Sequence, residues 1–282
     1  MIHTTSAVRA TSRSAFQSVK QQFDARAAGL SSDELGALFE DLSQTAILFW
    51  QNHVLRHAAA DPGQGAEAKT GLVDSLLSGK VGAAALDVVR AAVREEWSNG
   101  RDLTLALLQL SNLSLLIDAE RAGQLEEVED ELFRFGRLLE ANAELNGHLS
   151  DRVTPVDART GLLERVISGK TTAVTAKLLR RAVVFHTFDQ DHSLDRTVTL
   201  LAELAASRRG ESVARVVAAV APTDAQISRL QAVLGKIYGR PISVQIDVDP
   251  DVLGGLRVAV GDEVIDGTIA AKLAAAANEL PN

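Results

Sequence analysis

The segments KTGLVDSLLSGKVGAAALDVVRAAV, residues 69–93, and RTGLLERVISGKTTAVTAKLLRRAV, residues 159–183, align without a gap at an offset of 90. Ten of the 25 positions are identical, and seven of the other 15 exchange one apolar residue for another. Upstream, Asn52, Leu55 and Asp61 fall on Asn142, Leu145 and Asp151 at the same offset. Self-similarity at this period marks a duplicated supersecondary unit, so the two copies must share one fold. The repeat also removes an enzymatic reading. Ser168-Gly169-Lys170-Thr171-Thr172 looks like the end of a phosphate-binding loop, but that loop needs a glycine five residues before Gly169, where Glu164 stands. Residues 161–167 space their apolar side chains on one helix face. Gly169 therefore ends a helix and Lys170 sits at the negative end of its dipole, as Gly79 and Lys80 do one repeat earlier.

Residues 6 to about 210 are patterned almost continuously as helix. Leu35, Leu38, Phe39, Leu42 and Phe49 form one apolar stripe, and Leu125, Val128, Leu132, Phe135 and Leu139 form its counterpart. Breaks fall at Gly29-Leu30-Ser31-Ser32, at residues 61–65, at Ser98-Asn99-Gly100, and at Thr154-Pro155, where Thr154 is the expected N-cap. A 90-residue period holds about five helices. The helix from Leu103 to Arg121 is therefore expected to close the first bundle while opening the second.

With 46% apolar and only 4% aromatic residues, such bundles would be packed from small aliphatic side chains. A net charge of −8 lacks the basic footprint that nucleic acid or anionic lipid requires, so neither is expected as a partner. There is no cysteine, hence no disulfide and no thiolate nucleophile or metal ligand. The uncharged run from Leu103 to Ile117 is interrupted by Gln109, Ser111, Asn112 and Ser114, and no direct insertion into a membrane is expected.

After Gly210 the pattern changes. ESVARVVAAVAP is β-branched; Thr223 to Gln226 forms a capping box that opens a helix with Ile227, Leu230, Leu234 and Ile237 on one side. Ile242, Val244, Ile246 and Val248 alternate with polar residues, and Leu256, Val258 and Val260 do so again before a turn at Gly261-Asp262 into Val264 and Ile265. A last helix is expected from about Thr268 to Asn278. The expected fold is mostly α: a first helical bundle over 1–102, a second over 103–210, and a small α+β domain (β-α-β-β-α) over 211–282.

The stretch IYGRPISVQIDVDPDVLGGLRVAVGDEVIDGTIAAKL, residues 237–273, closely resembles the C-terminal signature of the delta subunit of bacterial ATP synthase, the relative of the oligomycin-sensitivity-conferral protein. Asp249-Pro250, Gly254-Gly255 and the run from Gly261 to Gly267 carry the resemblance, with Thr268 where the family more often has serine. Residues 103–210 resemble the family's N-terminal bundle, and residues 1 to about 100 resemble the extra copy of its long form. That form is in some bacteria fused behind a b-type membrane anchor, which is absent from this sequence. The resemblance implies a peripheral-stalk connector in the ATP synthase hetero-oligomer, on the cytoplasmic side of the cell membrane, with no catalytic residues and no cofactor. Its bundle would grip N-terminal helices of the alpha subunits and its small domain the b-type stalk subunit. It further implies a groove between the first and fifth helices of the second bundle, where Leu105, Leu108, Val174 and Leu178 are the candidate alpha contacts. In the small domain, Ile227, Leu230, Leu234, Ile269 and Leu273 are the candidate b contacts. The first copy is expected to brace the stalk or a neighbouring subunit. The competing reading is a free helical adaptor or regulatory module built on the same bundle.

Other chemistry-bearing residues have structural readings. His53 and His57 share a helix face, but Val54 stands where a zinc protease has glutamate, and a third ligand is missing. Asp247, Asp249 and Asp251 alternate like the start of a calcium loop, which Pro250 contradicts. Residues 123–136 form an acidic face expected to be solvated. Trp50 and Trp97 lie on apolar patterns and are expected to pack.

Overall fold

In a computed structural model of the chain, the described residues are 10–188, 192–211, 213–238, 242–249, 252, 254–260 and 263–268. The helices are α1 (Ala10–Ala27), α2 (Ser32–Gln51), α3 (His53–Ala60), α4 (Ala66–Leu77), α5 (Ala83–Arg94), α6 (Gly100–Arg121), α7 (Leu125–Ala141), α8 (Ala143–Ser150), α9 (Val156–Ile167), α10 (Ala173–His186) and α11 (Leu194–Glu211). There follow β1 (Val213–Ala218), α12 (Asp224–Tyr238), β2 (Ser243–Val248), β3 (Leu256–Val260) and β4 (Glu263–Asp266). Helical bundle followed by a small α+β domain is the expected class. Packing gathers Met1–Ala205 into one compact unit and Ala206–Asn282 into another.

The repeat is visible in the elements themselves. Helices α3 and α8 begin and end 90 residues apart, as do α4 and α9, while α5 and α10 begin 90 apart. Helix α6 lies 90 residues after α1, and α11 ends 90 residues after Arg121, so the offset relates α6 to a helix on either side of it. A helix in that position is surrounded, and its composition follows: Leu103, Leu107, Leu110 and Leu116 are fully buried, with Ser111 and Ser114 buried among them. Its length and apolarity would suffice to cross a membrane, but 83% of its most apolar stretch is buried inside the protein. It packs against α2 above all, and against α1, α3, α5, α7 and α10.

Local devices recur as well. Gly79 and Gly169 end α4 and α9 at φ of 74° and 69°, a region that glycine enters without steric cost. Lys170 Nζ donates to the Val166 carbonyl at 3.1 Å, a helix terminus rather than a phosphate cradle. Asp61 accepts the Gly63 N–H at 2.9 Å and Asp151 the Val153 N–H at 3.0 Å, forming the same turn before α4 and α9. That turn corrects the expected cap. The Thr154 hydroxyl donates to the Asp151 carboxylate and is committed to the turn, so Pro155 is the N-cap of α9 without a side-chain bond, as Gly65 is for α4. A buried cation is repeated too. Lys69 and Arg159 are 3% and 1% exposed at equivalent positions. Arg159 donates to the carbonyls of Leu149, Thr154 and Val183 and to the Thr187 hydroxyl, which satisfies a buried charge whose pKa is pushed down by desolvation.

In the second unit the sheet order is β2-β1-β3-β4, with β1 parallel to β2 and antiparallel to β3, and β3 antiparallel to β4. Helix α12 makes the crossover that a parallel pair requires. The expected capping box is formed: Gln226 accepts from the Thr223 N–H at 2.9 Å, and Thr223 Oγ1 accepts from the Gln226 N–H at 3.4 Å. Ala214, Val216, Val258, Val260, Ile242 and Leu234 make the core. Residues 263–266 form a fourth strand beyond the expected β-α-β-β order, in which Val264 and Ile265 pair with Ala259 and Val258. The expected last helix lies outside the described residues.

Candidate partner-binding surfaces

The helical unit positions its candidate contacts on α6 and α10. Leu105 and Leu108 lie on the half-buried face of α6 that also carries Arg101, while Val174 and Leu178 are buried on α10. Val174, Leu178, Arg181 and Phe185 follow helical spacing and form one stripe of α10. The backbone of α10 packs on α9, α6, α7 and α8, while Arg181 and Phe185 of that stripe meet side chains of α2. Arg181 pairs with Glu40 and stacks its guanidinium over the Phe39 ring at 5.3 Å. Trp50 meets Phe185 edge to face at 5.1 Å and donates its indole N–H to the Phe188 carbonyl at 2.7 Å. Arg101 lies 4.9 Å from the same indole. Between α2 and α6, the buried hydroxyls of Ser43 and Ser111 bond at 2.6 Å, and Ser111 donates to the Phe39 carbonyl. Burial pushes the Arg181 pKa down, and the Glu40 carboxylate opposes that shift.

The second unit presents an open, largely apolar cleft of about 440 Å³ between the start of α12 and the turn preceding β3. Ile227 and Leu230 line it from the helix, and Gly254 and Gly255 from the turn. Leu234 lies on the same face one turn further along and is buried in the core at 2% exposure. Ile269 and Leu273 lie outside the described residues. The glycine pair is required here. A β-carbon on Gly255, at φ 87°, would lie 2.4 Å from the Gly267 carbonyl oxygen, so the pair permits close backbone approach. Asp266 holds the next residues by accepting from the Thr268 N–H and hydroxyl, which keeps its pKa below the ordinary carboxylate value. Val220 (76% exposed) at the cleft edge and Val233 and Ile237 on α12 leave further apolar surface in water. Ile237 was expected on the inward side of α12, but it falls in the last turn and is exposed.

The acidic face of 123–136 proves to be mixed. Glu126, Glu127 and Asp130 are exposed, but Glu131 is buried, where it accepts the Thr172 N–H at 2.9 Å and caps α10. Phe133, 62% exposed on the same helix, escaped the sequence reading because it interrupts a charged face without apolar periodicity. His53 and His57 are exposed with ring centroids 6.4 Å apart, and no group of three metal-ligating side chains occurs among the described residues. Asp249 is tied by its N–H to the Ala218 carbonyl, and Asp251 lies outside the described residues. Trp97 packs in the core with its indole N–H on the Ala92 carbonyl at 2.7 Å.

The fold is thus that of a tandem helical repeat followed by a small α+β domain with an exposed apolar cleft. The family model described as ATP synthase delta (OSCP) subunit matches residues 113–280, and this chain belongs to that family. A Mycobacterium protein (strain KMS) named ATP synthase subunit b-delta is 44% identical over 277 residues, covering 98% of this chain and 62% of that protein. The ATP synthase subunit delta of Streptomyces coelicolor is 41% identical over 275 residues, covering 98% of this chain and 99% of that protein. That of a Parafrankia species is 43% identical over 249 residues, 88% of either chain. The chain thus spans about three fifths of the length of its mycobacterial relatives.

Proposed function

We propose that this chain is a non-catalytic peripheral-stalk subunit of a rotary ATP synthase, on the cytoplasmic side of the membrane. Its helical part holds the catalytic head through N-terminal helices of the alpha subunits, its first copy, 1–102, braces the stalk or a neighbouring subunit, and its small domain, 211–282, holds the end of a b-type stalk. The observation that carries this reading is the family match, which runs through both the second copy and the small domain. The apolar cleft at Ile227 and Leu230 supports a stalk contact, because an amphipathic helix delivers anchors at i, i+3, i+4 and i+7 into such a groove. A relative whose name joins b to delta in one polypeptide supports the same partner.

The test uses the full chain and the C-terminal segment of the b-type subunit from the same organism, measured by calorimetry. Ile227→Glu and Leu230→Glu are expected to weaken binding by about tenfold or more, the scale of losing one buried anchor. Unchanged affinity in both variants, with circular dichroism matching the parent, overturns the assignment of the cleft.

A further inference from the structure

The two copies differ where α6 and α10 meet side chains of α2. Ninety residues before Leu103, Leu107 and Leu110 stand Arg13, Gln17 and Lys20, and before Leu105, Leu108, Val174 and Leu178 stand Ala15, Ser18, Ala84 and Val88. Leu103, Leu107 and Leu110 are fully buried, whereas Arg13 and Gln17 are exposed. Sharing α6 accounts for the difference. As the closing helix of the first copy, α6 is packed by α2; as the opening helix of the second, it stands beside α10. Side chains thereby bridge α2 to α10 as well, at Gly36 beside Lys177, Phe39 and Glu40 at Arg181, and Trp50 at Phe185 and Phe188. The large apolar residues of the second copy are thus kept where α2 covers them, and polar residues replace them on the outer face of α1, as in the terminal repeat of an array.

We propose that α2 is the resident ligand of the groove between α6 and α10: the first copy occupies in cis the place an incoming helix would take, and a helix from a partner is held elsewhere on the chain. The proposal rests on the proposed function only for the identity of the incoming helix. Closure of this groove gives the duplication a purpose. It converts two bundles into one body and removes from solvent an apolar groove that would otherwise bind helices without discrimination.

Because the chain has no cysteine, Glu40→Cys with Arg181→Cys creates a unique pair that a short bifunctional thiol reagent can bridge. The bridged, unbridged and parent full chains, each carrying Trp97→Phe so that Trp50 reports alone, are titrated with a synthetic N-terminal peptide of the alpha subunit. The expected result is an affinity that bridging changes by less than about twofold, with Trp50 emission unmoved, because the peptide and α2 do not compete. A loss of about tenfold or more on bridging, or a red shift of Trp50 on binding, overturns the proposal. If the peptide binds none of the chains, the alpha contact of the proposed function fails, and the groove is decided by hydrogen exchange. Amides of residues 36–50 as slow as those of α6 support the proposal, and exchange as fast as at chain ends overturns it.

Discussion

Glu131 on α7 accepts the backbone N–H of Thr172 with both carboxylate oxygens, at 2.9 and 3.0 Å, and so caps α10, whose N-cap lies 41 residues later. One repeat earlier Asp41 on α2 accepts the Gly82 N–H at 2.8 Å and does the same for α5. A carboxylate at the positive end of a neighbouring helix satisfies an orphan donor and fixes the angle between the two helices.

Replacing Glu131 by Ala should therefore destabilise the helical unit by about 1–3 kcal/mol, since the half-buried Thr172 N–H loses its acceptor and its hydroxyl keeps only Thr175. Asp41→Ala should cost less, because Asp41 is only half-buried and water can take its place. Urea unfolding followed by circular dichroism ranks the two; equal costs would mean that burial does not set the strength of this cap.

Gly255→Ala should unfold or badly weaken the small domain, with a cost of about 2 kcal/mol or more, because a positive φ and a 2.4 Å clash with backbone act together. Gly79→Ala meets the same φ penalty with nothing within 4 Å, and should cost only about 1 kcal/mol. Amide spectra of the two full-length variants separate the cases: loss of the sheet signals in the first and intact spectra in the second.

Asp151 accepts from the Thr154 hydroxyl and the Val153 N–H, which holds its folded pKa below the unfolded value of about 3.9. A depressed carboxylate contributes stability that is present above the unfolded value and is lost as pH falls through the folded one. Asp151→Asn should therefore flatten the acid side of the stability profile below about pH 4 while leaving its shape near neutrality unchanged. Thermal midpoints of the parent and variant across that range provide the check, and parallel profiles would contradict it.

The repeat made much of the helical unit legible, because an offset of 90 carries both boundaries of α3 and α4 onto α8 and α9 and the start of α5 onto that of α10. The bonds that reach across the fold were not legible. Nothing local marks Glu131 as a cap for Thr172, since an acidic residue on a charged helix looks solvated until the facing helix is placed. Thr154 was misread for a related reason: its hydroxyl is equally suited to cap a helix or close a turn, and Asp151 decides. In the small domain, Ile227, Leu230 and Leu234 share one periodicity, yet the sheet covers only Leu234 fully, because the cleft opens where the chain turns at Gly254-Gly255.

The central claim is that one chain joins the catalytic head to the stalk. Sedimentation of the full chain with the assembled alpha–beta head and the C-terminal part of the b-type subunit tests it most directly. The account predicts a single ternary species containing all three, in which Ile227→Glu removes the stalk segment and leaves the head bound. Head and stalk competing for the chain, or neither of them sedimenting with it, would contradict the account.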